Sequence, residues 1–265
     1  MPEGDTVFRT AAHLDRALRG RRLTRFELRV PRFAAADLSG EVVEEVVPVG
    51  KHLLHRIGGD ATIHTHLKME GSWHLYRPGE RWRRPAHAAR AVLEAEGVVA
   101  VGFDLGVVEL LDRAEEHDAI GHLGPDPLGP GWDAQEAGRR LAADPAREIA
   151  AALLDQRSIA GLGNEYVVEL CFLRGLDPRA SMSEVTDPAG LAEAGRRLIR
   201  ANRDRVERTT TGDTRRGRRT WVYGRQGEPC RRCGATILRE PHGADPDAPE
   251  RERVGFRCPA CQPRR

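Results

Sequence analysis

Lysine is nearly missing from this chain: of 42 basic residues only Lys51 and Lys68 are lysines, and the rest are arginines. Arginine is charged at any working pH and does not exchange protons, whereas a lysine amine can be tuned to do so. Each retained lysine therefore reads as a candidate for amine chemistry, with chance retention as the alternative. Long apolar runs are also missing. No stretch approaches the roughly 18 apolar residues that a membrane span requires, and the first 30 residues carry no secretion-type apolar core. The expectation is an unexported protein of the cytoplasm with no membrane partner. Cysteine is absent from most of the chain, and four of the five fall in the last 36 residues as two C-x-x-C pairs. That placement favours a metal site in a reducing compartment over disulfides. Cys171, alone in an apolar helical pattern, reads as a packed thiol.

The 265 residues suit two modest domains. The net charge is only +2, but residues 196–225 hold eleven arginines against Asp204, Glu207 and Asp213. A phosphate backbone and a solvated face both suit such a block. Residues 6–18 place Val7, Ala11, Leu14 and Leu18 on one face, so an amphipathic helix is predicted there. Short runs rich in Val, Leu and Ile at 23–30, 41–49, 52–57, 61–67, 72–76, 90–95, 98–103 and 106–111 read as strands of an antiparallel sandwich or barrel. The Pro/Gly-dense stretch within 113–132 continues neither a helix nor a central strand and marks a domain boundary. Helical spacing returns at 133–143, 146–155, 163–173 and 187–208. A polar, Pro-rich loop is expected at 240–252.

Cys230-x-x-Cys233 and Cys258-x-x-Cys261 are the strongest motif by spacing alone. Each pair makes a tight knuckle, and four thiolates satisfy one tetrahedral zinc with no open position, so one structural Zn2+ is expected. The chain start is chemically unusual. Removal of Met1 would free the secondary amine of Pro2 beside Glu3; such an amine attacks an aldehydic carbon, and its iminium has no N–H proton to lose. Glu3 would then shuttle protons. Lys51, in G-K-H-L-L, enters a buried strand, with an ordinary strand-edge charge as the alternative. His64 and His66, in H-T-H-L-K-M-E-G-S-W, read as packed or hydrogen-bonded core histidines because no third metal ligand has suitable spacing. Met69 would sit at a loop tip, as a wedge for a base stack or as a buried Met. G-L-G-N at 161–164 offers a Gly-rich turn feeding a helix, with Asn164 as a cap and a phosphate ligand, or simply as a helix–helix turn.

Taken in order, M-P-E-G-D-T, V-G-K-H-L-L, H-L-K-M-E-G-S-W, L-L-D-Q-R-S-I-A-G-L-G-N-E-Y, V-Y-G-R-Q-G-E-P-C-R-R-C-G and F-R-C-P-A-C-Q resemble the formamidopyrimidine-DNA glycosylase and endonuclease VIII family. The P-E-G opening is closer to the endonuclease VIII branch, and its actinobacterial members in particular. The resemblance implies an α+β multidomain protein: an N-terminal antiparallel β-sandwich with flanking helices (1–118), a linker (119–132), a helix-two-turn-helix module (133–222) and a C-terminal zinc-finger hairpin (223–265). It implies a bifunctional glycosylase and abasic-site lyase that acts as a monomer on DNA with damaged bases or abasic sites, removes oxidised bases, pyrimidines foremost, and cleaves by β,δ-elimination. Such a protein would be nucleoid-associated when bound. By the same resemblance Pro2 is the nucleophile, Glu3 the proton-transfer group, Lys51 the proton donor for β-elimination and Arg253 the residue of δ-elimination and phosphate gripping; Arg257 fits the spacing less well. Asn164 corresponds to a phosphate ligand and Met69 to the residue filling the void in the stack. Lys68, Met69 and Glu70 depart from the Q-L-Y of endonuclease VIII, and His122 stands where the family often has a DNA-contacting arginine. A non-catalytic zinc-containing binder of damaged or abasic DNA is the alternative, though it leaves the coincidence of Pro2, Glu3 and Lys51 without a reason.

Overall fold

The computed structural model describes residues 2–243 and 252–264. The chain divides into two compact units, Met1–His122 and Leu123–Arg265.

In the first unit, helix α1 (Gly4–Leu18) buries the predicted face, Val7, Ala11, Leu14 and Leu18. Eight strands follow: β1 (Leu23–Leu28), β2 (Val43–Val49), β3 (His52–Ile57), β4 (Ala61–His66), β5 (Ser72–Tyr76), β6 (Ala89–Ala95), β7 (Val98–Phe103) and β8 (Val107–Asp112). They form two antiparallel sheets ordered β1-β6-β7-β5 and β2-β3-β4-β8. One core joins both, with Leu23, Phe26, Ala91 and Leu93 from the first, Val46, Leu53, Ile57 and Ile63 from the second, and α1. Of the two architectures the strand pattern allows, this is the sandwich. Strand side chains alternate between faces, so Leu53, Ile57, Ile63, Val108 and Leu110 pack inward while residues 52, 56, 62, 64, 66 and 109 turn to the outer face.

A short helix, α2 (Glu116–Ile120), lies in the stretch where the sequence predicts only a break. Its E-H-D-A-I carries no apolar periodicity; a polar tie holds it instead. The Glu116 carboxylate accepts from Arg56 Nε (3.0 Å) and Nη2 (2.7 Å) and from the Thr62 hydroxyl (2.5 Å). Burial works to raise the pKa of Glu116, but these hydrogen bonds outweigh it and hold the carboxyl below its usual range.

The second unit is helical: α3 (Ala134–Leu141), α4 (Ile149–Leu154), α5 (Asn164–Arg174) and α6 (Pro188–Arg200). Asp133 caps α3 by accepting from the backbone N–H of Gln135 and Glu136, and Asp187 caps α6 ahead of Pro188. Helix α5 is central, with Tyr166, Val167, Val168, Leu170, Cys171 and Phe172 all buried, so Cys171 is the packed thiol its surroundings predict. It ends at Gly175 in the left-handed conformation (φ +68°), where a side chain is strained. Helix α6 stops eight residues before the predicted end. Asn202, fully buried, donates to the carbonyls of Leu198 (3.0 Å) and Thr209 (2.9 Å) and accepts from Thr209 N–H (2.8 Å), which turns the chain away from the helix axis. Strands β9 (Leu238–His242) and β10 (Arg253–Arg257) pair antiparallel, so the predicted 240–252 loop begins later than expected; its residues 244–251 lie outside the described residues.

Glu169 of α5 fixes the irregular segment that follows α6. Its buried carboxylate accepts from the backbone N–H of Trp221 (2.7 Å), Val222 (2.8 Å) and Tyr223 (2.7 Å) and from the Thr210 hydroxyl. Removing this acceptor leaves three backbone donors unpaired, each costing about 1–3 kcal/mol where water does not replace it. Glu169→Ala should lower stability by about 3 kcal/mol or more, read as an earlier urea midpoint, and Glu169→Gln, which keeps one acceptor oxygen, by less.

Candidate active site

The start of α1 and the β2–β3 turn lie at the same end of the first unit. Val46 N–H donates to Asp15 Oδ1 (2.8 Å) and Gly20 N–H to the Val43 carbonyl (2.7 Å), so α1 runs antiparallel to β2. The eleven residues from Asp15 back to Gly4 rise about 16 Å at 1.5 Å each. The five from Val46 to Lys51 cover about the same distance at roughly 3.3 Å each. Pro2 is half-buried there, and Glu3 is fully buried as the residue preceding α1, its carbonyl accepting from Val7 N–H (3.0 Å).

Lys51 owes its position to Gly50. Val49 pairs with His52, leaving Gly50 and Lys51 as a two-residue turn, and Gly50 takes φ +58° at the first position, where a primed hairpin turn demands glycine. His52 pairs across with His66, and His66 with Val107, so the 67–71 loop belongs to the same end. That loop closes through Gly71 N–H donating to the Leu67 carbonyl (2.9 Å), and Lys68 adopts φ +53° within it. A Cβ on Gly106 would come within 2.2 Å of Lys68 Cγ, so glycine there is what lets the Lys68 side chain lie across the start of β8. Met69 sits at the tip, 66% exposed, a large apolar side chain held out to solvent.

The outer face of the second sheet collects histidines at this end. His64, 4% exposed, meets Glu109 Oε2 through Nδ1 (2.8 Å) and His52 Nδ1 through Nε2 (2.7 Å). His66 Nδ1 accepts from Lys68 N–H (2.9 Å). The rings of His66 and His122 lie 4.9 and 6.3 Å from that of His52, both edge-on. Burial, then the charges of His66, His64, His122 and Lys68, pushes His52 down to about 3; burial, then Lys68 and Lys51, pushes His66 down to about 4. His64 and His66 are thus hydrogen-bonded histidines as their sequence context predicts, although they lie on the sheet's outer face and not in its apolar core. Pro2, Glu3, Lys51, Lys68, Met69 and His122 all belong to this unit. His52 and Glu109 escape sequence reasoning, because strand alternation alone does not say which residues of β3, β4 and β8 stand opposite one another.

In the second unit Asn164 and Arg253 are neighbours. Asn164 Nδ2 donates to the carbonyl of Val254 (2.9 Å), and its Oδ1 accepts from His242 Nε2 (2.7 Å). The predicted helix cap is therefore not made by Asn164: Gly163 is the cap residue of α5, and the Asn164 side chain ties the helix to the hairpin. The preceding G-L-G turn is held by Gln156, which accepts from Gly161 N–H (3.0 Å) and donates to the carbonyls of Leu154 (2.8 Å) and Leu162 (3.0 Å). Arg253 pairs with His242 in the hairpin register and is exposed. Arg257, 8% exposed, donates to Glu240 Oε2 (2.6 Å) and the Gln262 carbonyl (3.2 Å), which commits it to holding the hairpin.

The sulfurs of Cys230, Cys233, Cys258 and Cys261 all lie within 4.8 Å of one another. Cys233 Sγ is 3.4 Å from Cys258 and 3.6 Å from Cys261, and Cys230 is 4.0 Å from Cys261. A disulfide requires about 2.05 Å, while four sulfurs about 2.3 Å from one tetrahedral ion stand roughly 3.8 Å apart. The donor set fits a thiolate-bound metal. Backbone N–H groups of Arg232 and Cys261 point at Cys230 and Cys258 Sγ, each at 3.4 Å, as knuckle geometry requires.

Residues 1–104 match the formamidopyrimidine-DNA glycosylase N-terminal domain and residues 123–197 the H2TH domain of the same enzymes. The chain is 52% identical to the DNA-(apurinic or apyrimidinic site) lyase Nei2 of Mycolicibacterium smegmatis, over 99% of both. It is likewise 52% identical to endonuclease 8 2 of Mycobacterium tuberculosis, over 99% of this chain and all of that one. Identity is 33% to endonuclease 8 1 of M. tuberculosis, over 99% of this chain and 100% of that one. Among solved structures, MutM in complex with DNA containing carbocyclic 8-oxo-G superposes with a TM-score of 0.82 at 23% identity, over 99% of this chain and all of the other, which establishes a shared fold. The order of elements, the matched domains and the full-length identities agree: this chain belongs to the formamidopyrimidine-DNA glycosylase family, on its endonuclease VIII branch.

Proposed function

We propose that the chain is a base-excision repair enzyme that removes oxidised pyrimidines from DNA and then cleaves the abasic strand by β,δ-elimination, residues 1–118 forming the catalytic domain. The observation that carries this reading is the convergence at one end of the first unit: Pro2, which removal of Met1 would make the first residue, a buried glutamate beside it, a lysine in a glycine-dependent turn, and an exposed methionine on a neighbouring loop. The name of the M. smegmatis relative, an abasic-site lyase, agrees with it.

The chemistry follows from these groups. The C1′ of a stacked nucleotide is out of reach, so the damaged base leaves the helix and Met69 fills the gap. The Pro2 nitrogen attacks C1′, the C1′–N bond to the base breaks, and Glu3 passes a proton to the opening sugar oxygen. The resulting iminium draws electrons from C2′. Loss of the C2′ proton leaves an electron pair that expels the 3′ phosphate, with Lys51 as proton donor, and a second elimination expels the 5′ phosphate, assisted by Arg253. Asn164, beside Arg253, supports a backbone phosphate with the second N–H of its amide.

Borohydride added to a mixture with abasic DNA should trap a covalent adduct whose mass places the link at Pro2 of a chain lacking Met1. Pro2→Gly should lose the adduct or cut its yield at least tenfold, and Lys51→Ala should slow strand cleavage more than adduct formation. On a panel of damaged duplexes, oxidised pyrimidines should be cut fastest, leaving phosphate at both ends of the gap. An undiminished adduct in Pro2→Gly would move the nucleophile to another residue and sink the Pro2 assignment, and no adduct with the unaltered protein would leave one that only binds damaged DNA.

We assign the cysteine cluster to one structural zinc. Four thiolates leave the ion no open position, so it organises the hairpin bearing Arg253 and takes no part in bond making. Elemental analysis should give one zinc per chain, and Cys258→Ser should lose the metal together with DNA affinity; two metals per chain would contradict the assignment.

A further inference from the structure

Arg84 joins the two loops beside Met69. It belongs to the segment between β5 and β6, which crosses the side of the first sheet facing away from the shared core, where Tyr76, Val92, Val101 and Phe103 form a second apolar cluster. Trp82 packs edge-on against Phe103, with ring centres 5.8 Å apart, and Tyr76 Oη accepts from Arg83 N–H (3.1 Å), so the segment is fastened immediately before Arg84. From there the Arg84 guanidinium donates through Nη1 to the Glu70 carbonyl (3.1 Å) and the Ser72 hydroxyl (3.2 Å), and through Nη2 to the Asp104 carboxylate. Its Cζ lies 5.9 Å from the centre of the fully buried Phe103 ring. The joined loops both carry unfavourable backbone. Lys68 (φ +53°) and Asp104 (φ +45°) are the non-glycine residues of left-handed conformation among those described, and such conformations persist where the surroundings hold them. The loops also touch: a Cβ on Gly71 would come within 3.0 Å of the Asp104 carbonyl oxygen, and Gly106 N–H donates to the His66 carbonyl (3.0 Å).

We propose that Arg84 is a positioning residue: by binding the Asp104 carboxylate and the Glu70 carbonyl together it holds the 67–71 loop firm while Met69 enters a duplex, so that excision from duplex DNA needs this clamp and cleavage at a single-stranded abasic site does not. The inference rests on the reading that Met69 fills the gap left by the damaged base. Parting stacked bases costs energy, which a loop that recoils cannot deliver. Exposed Met69 lends its own loop little packing. The foot of the loop is held by Gly71 N–H on the Leu67 carbonyl and by Lys68 N–H on His66, whereas Arg84 grips Glu70, the residue next to Met69. A planar fork suits the task, because one guanidinium serves a carboxylate and a carbonyl at once, and its bond to the carboxylate is charge-assisted. Arg84 thus acts on DNA through Glu70 and Asp104 and not by gripping a phosphate.

The test compares Arg84→Gln, Arg84→Lys and Asp104→Asn with the unaltered protein under single turnover, on an oxidised pyrimidine in duplex DNA and on an abasic site in a single strand. Each variant should slow duplex excision by about tenfold or more, while borohydride trapping and cleavage on the single strand stay within about twofold. Arg84→Lys should fail as Arg84→Gln does, since an ammonium keeps the charge but not the fork. The double variant Arg84→Gln, Asp104→Asn should be no slower than either single one, as two parts of one clamp require. A fluorescent purine analogue stacked beside an abasic analogue in a duplex should brighten less on binding Arg84→Gln than on binding the unaltered protein. The dependence of duplex affinity on salt should keep its slope, which loss of a phosphate contact would lower. Duplex excision at the unaltered rate, recovery in Arg84→Lys, additive losses in the double variant, a reduced salt slope, or equal loss on both substrates overturns the proposal, while trapping of the unaltered protein still supports the lyase. No adduct from the unaltered protein on either substrate overturns the reading on which the proposal rests.

Discussion

The register between β3 and β4 is the constraint on which the rest of the first unit depends. With His52 opposite His66 and Ile57 opposite Ala61, the apolar side chains of Leu53, Ile57 and Ile63 enter the core while His52, Arg56, Thr62, His64 and His66 face outward. A slip by one residue would exchange the faces, burying charges in the sandwich and exposing leucines. The register is pinned near the turn that joins these strands, where Arg56 and Thr62, from adjacent strands, reach the same Glu116 carboxylate; the two-residue Gly50–Lys51 turn fixes the neighbouring β2–β3 register. A correct core and a correctly placed lysine are therefore one structural fact.

The second unit solves a different problem, that of holding irregular chain without a sheet. Two of its buried fixing points, Glu169 for the segment after α6 and Asn164 for the hairpin, are polar and both lie on α5, whose buried residues are otherwise apolar. Such groups are tolerated in the interior because their hydrogen-bonding capacity is largely used: Glu169 accepts four hydrogen bonds, and Asn164 both donates and accepts. The cysteine cluster extends the same logic, since Gln262 accepts from Cys258 N–H and donates to the Leu176 carbonyl, tying the second knuckle to the residues just beyond α5.

Elements with strong apolar periodicity were legible in the sequence. Helix α1 and all eight strands of the sandwich appear close to where Val, Leu and Ile recur, and the cysteine cluster follows directly from C-x-x-C spacing. What escaped was fixed by side-chain hydrogen bonds between residues distant in sequence. Helix α2 exists because Glu116 reaches Arg56 and Thr62, sixty and fifty-four positions away, and α6 ends early because Asn202 grips Thr209. Asn164 looked like a cap because asparagine at the start of a helix commonly caps it; no local pattern reveals that His242, 78 residues later, claims its oxygen. The candidate site divides in the same way. Pro2, Lys51 and Met69 announce themselves by context, whereas His52 and Glu109 acquire significance only when three strands are aligned.

The scarcity of lysine then takes on a physical meaning. Arginine supplies fixed charge throughout the fold, and much of it is matched locally: Arg56 with Glu116, Arg147 with Asp155, Arg208 with Glu165 and Arg257 with Glu240. Both lysines and four of the ten histidines, by contrast, lie at one end of the second sheet, the end at which α1 starts. A surface that grips phosphates with arginines alone binds at every pH and cannot pass a proton onward. Elimination reactions on a sugar require protons to leave carbon and arrive on oxygen within one site. The permanent charge used for folding thus stands apart from the amines and imidazoles at that end, so proton exchange there would not disturb the ion pairs that hold the fold.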